Sequence, residues 1–350
     1  MAYINYADIA RRVGADEKIA VVSELLQQCN AVFDDLIWDE SSHLLGHQGT
    51  VRTSLPQGTW RQPNAGVPFT RSTTDQVFDT WGELAAYSRI DKSLADIGGN
   101  TKKLRADEVL AHIEGMSQQM ATAIFYGNEA ATQTQFTGLS SRFATINTAN
   151  AQNAINVLNG GGSASSNSSL WLACWGPRTG FAFFPKETKA GLDVQDLGDI
   201  RPGFDASGRE YQAYTTYLQW RAGLHIANWQ YFVRICNLDV TTTVGGLAST
   251  TPPDLFVLMS KAVRRLPAAA RRLSGISKIG SNSRTSTGPL SISAAWYANR
   301  TVLQYLDIQA IRNARVLLGP REYAGQPIED FRGAPIRCVD ALTTSESTVS

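Results

Sequence analysis

The chain has 350 residues, a formal net charge of +1 and a hydrophobic content of 43%. The near-neutral charge creates no overall field that would favour nucleic acid or an acidic membrane surface, and no apolar run approaches the roughly 18 residues that a membrane-spanning helix requires. The N-terminus lacks the apolar segment of a secretory signal, so synthesis in a cytosol is predicted. This length is typical of two lobes or of one large domain.

Residues 1–45 are predicted to form an N-terminal arm and a helix. The helix is assigned to residues 16–30, where acidic residues stand at the start and apolar side chains recur at helical spacing. The apolar side chains are Ile19, Val22, Leu26 and Cys29.

Residues 46–75 are rich in Gly, Pro, Thr and Ser and carry β-forming residues at near-alternate positions. This pattern predicts a long two-stranded arm with an open tip near residues 63–66. Its apolar residues are too few and too scattered to form a core, namely Leu55, Trp60, Val67 and Phe69. Because an isolated two-stranded ribbon is marginal in water, the arm is expected to contact the body of this chain or another subunit.

Residues 76–145 are predicted to begin with a strand and a helix, within residues 77–97, and to continue into a long internal helix over residues 106–127. The apolar residues of the long helix recur every three or four positions, at Val109, Ile113, Met116, Met120 and Ile124. This spacing indicates one buried face. Gly127-Asn128 is expected to end the helix in the left-handed conformation.

Residues 146–342 carry strands that are far apart in sequence. The run at 170–176 is predicted to be a buried strand, and residues 211–238 are predicted to form two long strands joined near Ala222-Gly223. Residues 343–350 are assigned to a polar C-terminal tail. The combined pattern predicts an α+β fold.

The candidate metal ligands have weak spacing signals. His43 and His47 are four residues apart, but glycines around them argue against a helix, and no glutamate follows His43 as the HExxH motif requires. Asp193, Asp196 and Asp199 form a row at every third position, whereas Ca²⁺ loops bring oxygens at alternate positions with a turn glycine. No nucleophile elbow occurs. We therefore predict no catalytic residue, no metal site and no cofactor.

One stretch of the nearly neutral chain is strongly basic. Residues 255–306 contain no Asp or Glu. The basic residues in it are Lys261, Arg264, Arg265, Arg271, Arg272, Lys278, Arg284 and Arg300. The segment is either a solvated helix face followed by a Ser-rich loop, or a surface for sequence-independent contact with phosphates or with an acidic face of another subunit.

Several blocks of the sequence resemble, in this order, the major capsid proteins of short-tailed and related tailed double-stranded DNA bacteriophages. The blocks are LLGHQGTVRTSLPQGTWRQPNAGVPFTRSTTDQVFDTWGELAAYSRIDKSLAD, IEGMSQQMATAIFYGNEA, FTGLSSRF and SLWLACWGPRTGFAFFPKETKAGLDVQDLGD. The resemblance runs from about Ala7 to about Asp239 and is weaker from Leu247 onward.

The resemblance implies the Hong Kong 97-type capsid fold. In that fold residues 46–75 would be the E-loop, which lies over a neighbouring subunit, and residues 76–145 would be the peripheral (P) domain with its spine helix. Residues 146–342 would form the axial (A) domain, with strands at about 205–240 returning to the P domain. The implied function is structural: self-assembly into the pentamers and hexamers of an icosahedral head that encloses double-stranded DNA.

The same resemblance implies partners and interface residues. The partners would be copies of the chain, a scaffolding protein, a portal protein, packaged DNA held by non-specific contact and, as a further candidate, a decoration protein. No membrane is involved, and the protein would move from the host cytoplasm into the virion. The E-loop residues expected at the subunit interface are Arg52, Trp60, Arg61, Phe69 and Arg71. The basic segment that would meet DNA or another subunit comprises Lys261, Arg264, Arg265, Arg271, Arg272 and Lys278.

Two departures from the family pattern and two alternatives complete the sequence reading. Some members join the E-loop to a neighbour by a Lys–Asn isopeptide bond, but residues 50–74 contain no lysine, so no such cross-link is expected. The chain begins at once with the arm and first helix, so we expect no N-terminal processing and a separate scaffolding protein. The alternatives are an encapsulin-type nanocompartment shell, which packages proteins, and a soluble metal-binding enzyme that uses His43, His47 and the aspartate row.

Overall fold

The fold is given by a computed structural model that describes residues 28–96, 101–163, 165–197, 201–204, 207–241, 245–267, 293–312, 319–323 and 326–350. Most of the helix predicted over residues 16–30 lies outside these ranges. In chain order the helices are α1 (Val32–Asp35), α2 (Lys92–Ala95), α3 (Thr101–Tyr126), α4 (Leu139–Arg142), α5 (Leu255–Arg265) and α6 (Arg300–Arg312), with 3₁₀ turns at Gln152–Asn156 and Trp229–Tyr231. Within the described ranges, no helix is both long and apolar enough to cross a membrane.

The strands build two sheets, and the α+β prediction is confirmed. In the first half of the chain they are β1 (Trp38–Glu40), β2 (Gly46–Ser54), β3 (Thr73–Asp91), β4 (Val157–Asn159), β5 (Asn167–Trp175), β6 (Phe181–Phe184) and β7 (Leu192–Asp196). The later strands are β8 (Arg201–Phe204), β9 (Glu210–His225), β10 (Phe232–Asp239), β11 (Ser293–Ala298), β12 (Gly319–Tyr323), β13 (Gln326–Phe331) and β14 (Ala334–Cys338).

The first sheet is organised by the long antiparallel pair β3 and β9. Its order is β1-β6-β9-β3-β2, and β7 and β8 also pair with β9. The predicted joint at Ala222-Gly223 is wrong, because both residues lie inside β9 and the chain turns only after His225. Gly223 serves close packing instead: a Cβ at this position would lie 2.4 Å from the Phe183 ring.

The second sheet holds the centre of the core. Its order is β12-β13-β14-β11-β5-β10-β4, and every residue of β5 is buried, which confirms the buried strand predicted at 170–176. Strand β5 is paired along both edges with antiparallel neighbours, and because its successive side chains point to opposite faces and are all buried, both faces of the strand are covered. The largest fully buried side chains of this region are Trp171, Trp175, Trp296, Tyr297 and Phe232.

The long helix α3 packs across the core as predicted, but with different ends. It starts five residues before the predicted Ala106 and ends at Tyr126. Met116, Met120 and Ile124 are buried, whereas the N-terminal half of the predicted apolar face is only half-buried. Gly127 does not have a positive φ. Glycine is instead required by close packing, because a Cβ at Gly127 would lie 2.4 Å from the Phe136 carbonyl oxygen; the Gly138 N–H donates to the Gly127 carbonyl at 2.8 Å and brings the chain this near.

The polar C-terminal tail is bound to the body through a buried ion pair. Glu346 is buried, and the Arg234 guanidinium donates to its carboxylate at 2.8 Å. The Ser169 and Tyr126 hydroxyls donate to the same carboxylate. One residue before the C-terminus, the Val349 N–H donates to the Asn237 side chain at 2.8 Å. The tail therefore contributes to the core a buried carboxylate that accepts three hydrogen bonds.

Candidate functional site: the arm and its base

The arm, residues 46–75, is a ribbon that ends in an extended tip. Strands β2 and β3 pair from Gly46 opposite Thr80 to Ser54 opposite Thr73, and the chain between them lies outside the strands. The tip turns at Asn64, which adopts a left-handed φ of 64°. This agrees with the open tip predicted at residues 63–66, because asparagine tolerates that conformation better than most residues.

The apolar side chains of the arm face water in the single chain. Trp60 and Phe69 have relative exposures of 102% and 107%, and Leu55 and Val67 are also exposed. Large apolar side chains gathered on one projecting element are typical of a surface that binds another protein. The prediction that the arm cannot form its own core is confirmed.

The arm is also positively charged. Arg52, Arg61 and Arg71 are exposed. The arm has a single acidic residue, Asp75, opposite Val51 in the ribbon, so three arginines and one aspartate leave it a net charge of +2. The Arg61 guanidinium donates to the Ala65 carbonyl at 3.1 Å and so braces the tip. The arm therefore offers two aromatic side chains and three cations to a neighbouring surface.

Comparison with known proteins identifies the family. Residues 14–350 match the family described as major capsid protein GP7. The chain belongs to this family. It is a phage capsid protein, and membership places it in a virion capsid as part of an oligomeric assembly of capsid subunits.

The fold agrees with that membership. A chain of the bacteriophage Epsilon15 structure has a TM-score of 0.75 and 24% identity, covering 100% of this chain and 98% of that chain. The fold is therefore the Hong Kong 97-type capsid fold. Two other similar structures are too remote to bear on function. A native GTA capsid chain has a TM-score of 0.44 and 10% identity, covering 61% of this chain and 92% of that chain. The SrpI encapsulin of Synechococcus elongatus PCC 7942 has a TM-score of 0.41 and 11% identity, covering 69% of this chain and 98% of that chain. No curated protein matches the chain.

The two histidines that the sequence singled out lie at the base of the arm of this capsid protein. His43 is exposed, and its ring nitrogen Nε2 lies 2.7 Å from the Gln48 side-chain oxygen. The His47 ring contacts the His225 ring with 4.6 Å between centroids. In the described part of the chain, no three His, Cys, Asp or Glu side chains are grouped to hold a metal ion.

A buried network continues from His47 into the body. His225 is only 2% exposed, and its Nδ1 lies 2.7 Å from an Asp79 carboxylate oxygen. The other oxygen accepts from the Arg142 guanidinium at 2.8 Å, and that guanidinium also donates to the Leu224 carbonyl at 3.0 Å. Burial acts to raise the pKa of Asp79, but the hydrogen bond with His225 and the charge of Arg142 outweigh burial and lower the pKa overall.

The two described members of the aspartate row do not converge. Asp193 and Asp196 lie in β7, where residues three apart point to opposite faces, and Asp199 lies outside the described residues. Asp196 pairs with the Arg105 guanidinium at 2.7 Å, and Asp193 lies 3.9 Å from the Lys189 ammonium. These contacts are surface ion pairs.

The described part of the basic segment lines a groove. Lys261, Arg264 and Arg265 lie in α5, beside an open groove of about 860 Å³ that also contacts Trp229 and Val257. The other basic residues named for this segment, Arg271, Arg272 and Lys278, lie outside the described residues. The cations therefore line a groove with an apolar floor rather than a purely polar surface.

Sequence reasoning missed the network of Asp79, Arg142 and His225. These residues are separated by 63 and 83 positions in the chain and meet only because β3, α4 and the end of β9 converge. A sequence signal exists only for Asp79, a charged residue in a strand otherwise rich in β-formers. Such a signal does not identify its partners.

Proposed function

We propose that this capsid protein is the repeating structural subunit of an icosahedral head, that it forms pentamers and hexamers through its arm, and that it has no catalytic role. The observation that carries the proposal is the full exposure of Trp60 and Phe69 on a ribbon without a core of its own. Residues Arg52, Arg61 and Arg71 add charge that acidic groups of a neighbour would pair. Head-to-tail contacts of this kind close into rings when the rotation between subunits permits.

The expected contribution of the two aromatic residues is large. Fully burying one such side chain contributes about 1.5–3 kcal/mol, so two contribute about 3–6 kcal/mol at each subunit contact. Since about 1.4 kcal/mol is a tenfold change in an association constant, their loss weakens each contact by about 10²–10⁴. A shell repeats the contact in every subunit, so a loss of this size prevents closure.

The test is assembly of the Trp60→Ser/Phe69→Ser double variant, followed by sedimentation and electron microscopy. We expect folded, unassembled subunits, whereas the control Ile311→Ser, which alters an exposed apolar residue in α6, should form shells. The charge-reversal pair Arg52→Glu/Arg61→Glu should also block assembly, with Arg178→Glu, in the exposed turn between β5 and β6, as its control. Normal shells from both arm variants would contradict the proposal.

The contents of the shell distinguish the head from a nanocompartment. We infer that the protein is made in the host cytoplasm, that it assembles with a separate scaffolding protein and a portal, and that the particle holds double-stranded DNA through non-specific phosphate contacts. Nuclease-protected DNA in particles from the native source is the expected result. Shells that contain protein cargo and no DNA would favour the encapsulin-type alternative.

A further inference from the structure

A histidine pair lies where the base of the arm packs against the body. On the arm side are His47 and Gly49 of β2, and on the body side is His225 at the end of β9. Gly49 lies so close to the His225 ring that a Cβ at Gly49 would be 2.5 Å from ring carbon Cε1. The Phe181 and Phe183 rings of β6 pack against His47 with centroid distances of 5.1 and 5.7 Å. The His47 ring therefore forms the contact between strand β2 and the body, with Phe181, Phe183 and His225 around it.

Hydrogen bonding sets the protonation state in which this contact is formed. The Ser42 backbone N–H donates to Nδ1 of His47 at 3.3 Å. An imidazole nitrogen that accepts a hydrogen bond carries no proton, so the ring in this arrangement is neutral with its proton on Nε2. Adding a proton would place a donor at Nδ1, opposite the donor of Ser42, and would put a positive charge beside the His225 ring.

We propose that His47 is a positioning residue for the arm: its neutral ring fixes β2 against His225, and protonation releases the base of the arm from the body. Strand β3 stays paired with β9 from Trp81 onward, so the released ribbon would pivot about β3 rather than unfold the sheet. The inference rests on the proposed function only for the use of the arm, since the position of the ribbon can be measured in a single unassembled chain.

The surroundings of His47 oppose its protonation. Burial of the ring, followed by the neighbouring His225 and then the more distant His43, lowers the pKa, while the carboxylates of Asp39 and Asp79 act in the opposite direction. The balance leaves the pKa of His47 below the ordinary value of 6.5. The network around Asp79 also carries the Arg142 guanidinium, which adds positive charge on the body side.

The sign of the pH effect follows from this balance. The docked ring binds fewer protons than a released ring, so docking weakens as the pH falls below the ordinary histidine pKa of 6.5. Asp79 has a lowered pKa, so its carboxylate loses its contribution to stability only as the pH falls below the ordinary value of 3.8. Between pH 6.5 and pH 3.8 the change in docking therefore comes from His47. One proton changes the opening equilibrium by at most about tenfold per pH unit.

The experiment is hydrogen exchange, read by mass spectrometry, on the full-length unassembled protein between about pH 7 and pH 5, where histidine titrates. Exchange in peptides from residues 46–54 is divided by exchange in β5 of the same sample, which cancels the intrinsic pH dependence. We expect this ratio to rise in the wild type as the pH falls, by as much as about tenfold per unit. In His47→Gln, which cannot titrate, we expect the ratio to be independent of pH.

His43→Gln is the matched control, because His43 is a nearby but exposed histidine and its removal should leave the wild-type profile intact. A wild-type ratio that does not change with pH would overturn the proposal, whatever the variants do. An unaltered pH response in His47→Gln would overturn it as well. Neither result depends on shell assembly, so failure here is distinct from failure of the arm variants to block assembly.

Discussion

Replacement of Glu346 by alanine tests whether the C-terminal tail is part of the core. The side chain is 5% exposed, and its ion-pair partner Arg234 is 4% exposed. The Arg234 guanidinium keeps hydrogen bonds to the Ser169 hydroxyl at 3.0 Å and to the Phe143 carbonyl at 2.8 Å. It also lies over the Trp171 ring, 5.3 Å from the ring centroid. Without Glu346, a guanidinium would therefore remain buried without its counter-charge.

The magnitude follows from the groups that lose their acceptor. A hydrogen bond to a charged group contributes about 1.5–3 kcal/mol and an ordinary one about 1 kcal/mol. The bonds from Arg234, Tyr126 and Ser169 all end on the charged carboxylate, so their sum, about 4.5–9 kcal/mol, is an upper limit. Removing one partner of a buried ion pair costs about 3–5 kcal/mol, which is the value adopted here. We expect Glu346→Ala to lower the free energy of unfolding by this amount.

The assay is urea unfolding, compared with Ser347→Ala, which alters the next and exposed residue and should change stability by less than about 0.5 kcal/mol. In the double variant Arg234→Met/Glu346→Ala no unpaired charge remains, so the loss should be smaller than the sum of the two single losses. A loss below about 1 kcal/mol in Glu346→Ala would be the cost of an exposed ion pair and would refute the burial argument.

Two further predictions concern the fold around the arm. Gly138→Ala should destabilise the protein by about 1–3 kcal/mol, because its Cβ would lie 2.6 Å from the Ala123 carbonyl oxygen of α3. Gly115→Ala, with open space at its Cβ, should be neutral or stabilising by up to about 1 kcal/mol. Equal urea midpoints for the two variants would contradict this difference. Asp79→Asn should have a lower free energy of unfolding than the wild type at neutral pH. This difference should shrink as the pH falls below 3.8, because the wild-type carboxylate then loses its contribution to stability. A difference that is constant with pH would contradict the role assigned to Asp79.

Local periodicity predicted the elements that are defined by their own side chains. The buried run that became β5 and the apolar spacing of α3 are signals within one element, and both elements form. Errors occurred where a glycine was read as a turn. Gly223 lies inside a strand because the Phe183 ring needs the space, and this requirement comes from β6, about 40 residues earlier in the chain. A single sequence does not show which of the two uses a glycine has.

The polar network around Asp79 and the burial of the C-terminal tail could not be predicted from local sequence patterns, because both depend on partners that are distant in the chain. A buried charge is tolerated only where another part of the chain supplies its partner, so the burial of Glu346 depends on Arg234, 112 positions earlier. Viewed in the sequence alone, Glu346 stands among Ser and Thr residues and has the composition of a solvated tail. The same holds for Asp79, whose partners lie on two other elements.

The arm reverses this relation, because its proposed role was inferred from apolar side chains that stay exposed in the described part of the chain. A ribbon that carries Trp60 and Phe69 without a surrounding core is unfavourable in an isolated subunit, and the exposed area becomes favourable only against a second protein. The base of the ribbon, by contrast, is held by packed rings and by the buried His225 and Asp79. A fixed base and an unsatisfied tip allow the body to set the direction of the arm before a neighbour binds, which lowers the entropy lost on association. On this argument, a variant that loosens the base should slow assembly even when every residue of the tip is intact.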